Sequence, residues 1–125
     1  MATLTQNIYE ILDGNLTIPE YWAGVGGGNR SAKSGLLTFF LLPSPPKNIH
    51  DGTSVSQYQF DIWHEDIYQA EEYKEELVSY LSGLAGIHDG KSLIFSMDSD
   101  LGGIQEDEGN IWHYPVVFNI KWARR

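Results

Sequence analysis

The chain has 125 residues, of which eight are Lys or Arg and 17 are Asp or Glu, giving a formal net charge of −9. So acidic a protein is no general binder of nucleic acid, because phosphate contacts need Lys and Arg. The lack of cysteine excludes disulfides and thiolate chemistry and fits a reducing compartment. At 42% hydrophobic and 20% charged, the sequence predicts one soluble globular domain over 1–125, with no signal peptide and no membrane span.

Taken in chain order, residues 3–13 (TLTQNIYEILD) place Leu4, Ile8, Ile11 and Leu12 on one helical face, with Thr3 or Thr5 as cap and Gly14 as the stop. Residues 14–35 hold six of the 13 glycines, and only EYWAGV there can form a short strand; 23–35 reads as a flexible glycine-rich loop. LLTFFLLP at 36–43 is apolar on both faces, so it belongs inside a covered sheet. A proline-rich loop with a turn at Asp51-Gly52 leads to VSQYQFDIW, which alternates Tyr58, Phe60 and Ile62 against Gln57, Gln59, Asp61 and Trp63.

The period then changes. Asp66 caps a helix over about 67–82 with Ile67, Ala70, Tyr73, Leu77, Leu81 and Leu84 in one stripe, while Glu71, Glu72, Glu75 and Glu76 lie largely outside it. Gly83 and Gly86 end it, Asp89-Gly90 makes a turn, and SLIFSMD at 92–98 is a core strand. An acidic loop, DSDLGGIQEDEGN, precedes a closing strand with Trp112, Tyr114, Val116, Phe118, Ile120 and Trp122 on one face. Pro115 removes a backbone donor, so that strand is expected at an edge or bulged. The fold class is α+β: a mostly antiparallel sheet of about five strands packed with two helices.

Chemical motifs are sparse. GGNRSAKS at 27–34 nearly spells a phosphate-binding loop, but Ala32 stands where glycine is needed and a β-type run follows instead of a helix. The stretch reads instead as a loop carrying Arg30 and Lys33 toward an acidic partner surface, or simply keeping itself soluble. The 98–109 loop fails the EF-hand template at Gly102 and Gly109, leaving a non-standard calcium site as a minor alternative. His50, His64, His88 and His113 lack metal spacing; His64 and His113 could approach each other, but no carboxylate third member is evident. No catalytic residue, cofactor or metal site is predicted. Trp63, set against the Tyr58 face, is a large aromatic that is either exposed or meets something else. Surplus aromatic surface marks an interface, the alternative being that helix 1 and the long loops cover that face.

The run SQYQFDIWHEDIYQAEEYKEELVSYLSGLAG, followed by DSDLGGIQEDEGNIWHYPVVFNIKW, resembles the tail terminator (tail completion) proteins of long-tailed bacteriophages. The likeness lies in element order and not in an invariant motif, and the 23–35 loop is longer than it implies. It implies a non-enzymatic ring, usually of six copies, that caps the tail tube, stops its polymerisation and offers a head-joining surface. The implied partners are further copies of the chain, the major tail tube protein, a head completion or neck protein, and DNA passing through the lumen without sequence-specific binding. The implied location is the virion tail, assembled in host cytoplasm. A head-proximal neck or connector subunit and a small calcium- or ligand-binding module are the alternatives. Candidate interface residues are Arg30 and Lys33 on the loop, Trp63, Glu72 and Glu76 on the acidic helix, and Glu106, Asp107 and Glu108, which would line the channel and repel DNA.

Overall fold

The computed structural model describes residues 3–24, 34–43, 47–48, 53–106 and 110–124. Helix α1 spans Leu4–Leu12 and helix α2 spans Ile67–Leu81. The strands are β1 (Glu20–Ala23), β2 (Leu36–Leu41), β3 (Lys47–Asn48), β4 (Ser54–His64), β5 (Ala85–His88), β6 (Lys91–Asp100), β7 (Ile104–Gln105) and β8 (Trp112–Arg124). They form one sheet in the order β1-β2-β4-β8-β6-β5, with β3 added to β4 and β7 to β8.

Both helices start where their caps dictate. Thr3 accepts from the Gln6 amide and Gln6 returns a bond to the Thr3 amide, a capping box; Asp66 accepts from the Tyr68 amide. The apolar stripe of α2 buries Ala70, Leu77 and Leu81, and α2 crosses β4, β8 and β6. Each buried leucine is worth about 1.5–3 kcal/mol relative to exposure. On α1, Ile8 and Leu12 enter the same core. Two hydroxyls tie α1 down: Tyr58 bonds Thr5 at 2.7 Å, and Tyr80 of α2 donates to the Ile11 carbonyl at 2.9 Å.

Cross-strand register fixes the faces. Phe39 pairs with Phe60, Phe60 with Val116 and Tyr58 with Phe118, so alternate residues of β2, β4 and β8 stack beneath the helices. Phe60 is the hub: its ring stacks on Phe39 and meets Phe118 edge-on, both at 5.6 Å. Lys91, only 1% exposed, reaches the Asn7 amide oxygen at 2.6 Å and joins the β5–β6 hairpin to α1.

The sheet is larger than the expected five strands, and it is mixed. β1 runs parallel to β2 while the other pairs are antiparallel. A parallel neighbour needs a crossover of about a dozen residues, which accounts for the length of the 24–35 stretch. β5 was not anticipated; Asp89 and Gly90 both have positive φ, as a tight hairpin turn between β5 and β6 requires. β6 continues to Asp100, past the expected end at 98, through a bulge between Met97 and Ser99.

Pro115 is not at an edge, because β8 lies in the middle of the sheet. Its missing donor faces residues 101–103, after β6 has ended and before β7 begins. Its carbonyl points the same way and accepts from the Leu101 amide at 3.1 Å. The gap between β6 and β7 therefore spares the ladder a lost bond. Trimming the hub should be the costliest core change: Phe60→Ala is expected to lower the unfolding free energy by about 3–5 kcal/mol in urea titrations.

Candidate functional site

Both helices pack on one face of the sheet, so among the described residues the other face is closed by side chains of the strands themselves. Leu36, Thr38, Asp61 and Val117 are nevertheless buried there. The closure is a polar–aromatic cluster. The Trp63 indole stacks on the His113 imidazole with 3.9 Å between centroids and planes 5° apart, and its Nε1 donates to Thr38 Oγ1 at 3.2 Å. Register explains the stack, since Trp63 and His113 are direct cross-strand partners on β4 and β8.

Asp61 lies two residues before Trp63 on the same face, within diagonal reach of His113. Its Oδ1 is 2.6 Å from His113 Nε2 and also accepts from Gln59 Nε2 at 2.9 Å. His113 Nδ1 lies 3.1 Å from Glu106 Oε1. Both ring nitrogens therefore meet carboxylates, one buried and one half-exposed. Burial alone would lower the histidine's pKa, but the bond to Asp61 and its charge, followed by those of Glu106, outweigh it and raise it above the ordinary value. The arrangement favours the protonated ring. With both nitrogens engaged, the ring has none left to activate a hydroxyl.

A second anchor lies nearby. Lys74 Nζ leaves α2 to reach Asp100 Oδ2 at 2.8 Å, and also meets Glu75 at 2.8 Å. Asp100 Oδ1 accepts from the Gly102 amide, turning the chain toward β7. Between the anchors, Gly103 touches the Tyr114 ring so closely that a Cβ would sit 2.6 Å from it. The segment 100–106 is thus pinned at both ends and in the middle.

The sequence-based candidates separate. Trp63 and Glu106 come together through His113. Trp63 is half-buried in that stack, so of the two readings it meets other side chains and is not left exposed. Glu72 is exposed on α2, near Tyr68, Glu71 and Glu75, which line a shallow groove on the other face. Glu76 is engaged inside the molecule, accepting from the Thr17 amide at 2.9 Å and its hydroxyl at 2.8 Å, which ties the α1–β1 connection to α2. Arg30, Lys33, Asp107 and Glu108 lie outside the described residues, as does the phosphate-loop-like stretch up to Lys33.

His64 and His113 do not pair: His64 points to the opposite face, where its Nδ1 accepts from the Asp66 amide at 2.8 Å. The carboxylate partner that His113 was thought to lack is Asp61, with Glu106 as a second. Asp98 accepts from Asn119 and Asp100 from Lys74, and the described residues contain no group of metal-ligating side chains. No described helix is long and apolar enough to cross a membrane.

Exposed apolar side chains include Tyr68 on α2 and Leu41 at the end of β2, and others stand at the β5 edge and over 101–104. Ile87 is 70% exposed, with Ile94 and Ala85 beside it on the helix-free face; Leu101 and Ile104 are exposed on the turn. Among the four tryptophans, Trp22 on the other edge strand is the exposed one.

No protein-family model matches the sequence, and no curated protein matches it. Among solved structures, a chain in the virion of a native gene transfer agent particle is similar, with a TM-score of 0.72 and 11% identity. The similarity covers 96% of this chain and 94% of that one. It shows a shared fold over essentially the whole of both chains.

A group whose folded-state pKa is raised stabilises fully below its unfolded value, and the contribution fades as pH rises through the folded value. His113→Gln should therefore cost most near about pH 6 and progressively less toward about pH 9, read as the wild-type-minus-variant difference in urea midpoint. A difference that does not vary with pH would mean that the His113 pKa is the same in the folded and unfolded states.

Proposed function

We propose that this chain is a structural subunit of a virion, and more specifically a ring-forming tail terminator. The observation carrying the proposal is the shared fold with a virion chain over 96% of this sequence. The resemblance of the β4–α2 and 98–122 runs to tail terminators narrows the reading from virion component to tube cap. A structural role also suits a chain in which both ring nitrogens of His113 are engaged by carboxylates.

A closed ring needs two unlike patches on each subunit, meeting head to tail. The sheet has two unlike edges, a parallel one at β1 with Trp22 and an antiparallel one at β5 with Ile87. Exposed apolar side chains beside a free strand edge form a surface for another subunit to cover. The exposed acids of α2, Glu71, Glu72 and Glu75, supply a charged patch that the basic Arg30 and Lys33 would complement. Around a lumen, acidic side chains would let DNA slide instead of holding it; Glu106, paired with His113, contributes less to that than its sequence position implied.

Electron microscopy of the protein mixed with purified tail tubes tests the reading. A ring of density at one tube end, with tube growth arrested, is the expected result. No association with tubes would contradict it, and density only at the head vertex would favour a neck subunit. Ile87→Glu should abolish ring formation while shifting stability by no more than about 0.5 kcal/mol, since the side chain is exposed. The readout is particle mass: six-fold the 14.1 kDa chain for the wild-type ring, and a single chain for the variant.

A further inference from the structure

We infer that His113 is a proton-controlled latch that holds the end of β7 against the helix-free face when protonated and releases it when neutral. The inference stands on the geometry of one cluster and is independent of the virion reading. Protonated, the imidazolium donates from Nε2 to Asp61 and from Nδ1 to Glu106, and each carboxylate receives a hydrogen. Loss of one proton to solvent leaves one N–H and one lone pair. The buried Asp61, 2.6 Å away, keeps the N–H on Nε2. The Nδ1 lone pair then faces the Glu106 carboxylate, two acceptors with no hydrogen between them, and the bond is lost.

Glu106 is the partner that moves. Its side chain is 42% exposed against 5% for Asp61, so water can replace the lost bond at Glu106 and not at Asp61. Asp61 is also held by Gln59. The charged groups facing the ring from neighbouring elements are Asp61 on β4 and Glu106 after β7. The Trp63 indole covers its plane, and β2 contributes only the Thr38 hydroxyl, bound to that indole. The opposing anchor, Lys74–Asp100, joins two groups that stay charged through the neutral range. Burial works against both charges, but bonds and charge attraction to Asp100 and Glu75 together raise the lysine's pKa, and those of Lys74 with the Gly102 amide bond together lower the aspartate's. Titration therefore frees one end of the 100–106 segment while the other stays fixed. The released end adjoins β7, whose two residues pair with β8 and with no other described strand, and Leu101 and Ile104 lie exposed on the same segment. The latch therefore sets how firmly a small apolar surface is presented.

Nuclear magnetic resonance on the intact chain tests the latch. The ring nitrogens of His113 are titrated alongside amide-exchange protection factors at Gln105 and Glu106, the latter amide bonded to the Ile111 carbonyl at 2.8 Å. The expected result is a fall in protection on the order of tenfold, the size of one charge-assisted bond, with the same midpoint as the imidazole. Glu106→Gln, whose amide can donate or accept, should remove the pH dependence, lower the His113 midpoint and leave α2 protection unchanged; His113→Gln should remove the dependence as well. Protection that is flat in the wild type, or that keeps its midpoint in either variant, overturns the latch.

Discussion

The helices cover one face of the sheet, and among the described residues the other face is sealed by the strands' own side chains. In this chain the sealing set contains a carboxylate, Asp61, with a 5% exposed side chain. A buried charge is costly unless it is paired and hydrogen-bonded. The compensation comes from β8, which brings His113 within 2.6 Å, and from Gln59 on β4 itself. Trp63 then roofs the imidazole, and Thr38 receives the indole donor. The pairing of β4 with β8, along 11 register positions, is thus both the spine of the sheet and the condition for closing its open face.

The few cations are distributed with similar economy. Lys91 is buried to hold α1 to the β5–β6 hairpin, and Lys74 leaves the acidic helix to anchor the end of β6. Neither is presented as a free basic site. The excess of 17 acids over eight bases is therefore displayed chiefly as surface, most densely along Glu71, Glu72 and Glu75 of α2. Exposed apolar side chains stand beside these acids at β1 and β5.

The helices were legible because a 3.6-residue stripe and a capping residue agree at each: Thr3 before α1, and Asp66 before the Ala70–Leu77–Leu81 stripe of α2. The long strands β4 and β8 were legible by alternation. β5 was not, because four residues including Gly86 carry too little periodicity to stand apart from a helix end. The extension of β6 was hidden because the bulge after Met97 shifts the phase and the residues beyond it are polar. A parallel β1–β2 pair leaves no mark on either strand, since period two identifies a strand but not its neighbour. The Asp61–His113 pair was missed for a related reason. Alternation sets Gln57, Gln59 and Asp61 on one face but names no partner for them, and only the register of β4 on β8, which places His113 diagonal to Asp61, turns that face into a buried cluster.

A double-mutant cycle between Asp61→Asn and His113→Gln, measured by urea unfolding near neutral pH, tests whether this pair closes the open face. Coupled sites in one buried network give interaction energies of about 0.5–3 kcal/mol, and a value in the upper half of that range is expected. Strictly additive effects of the two substitutions would show that the helix-free face is sealed by something else.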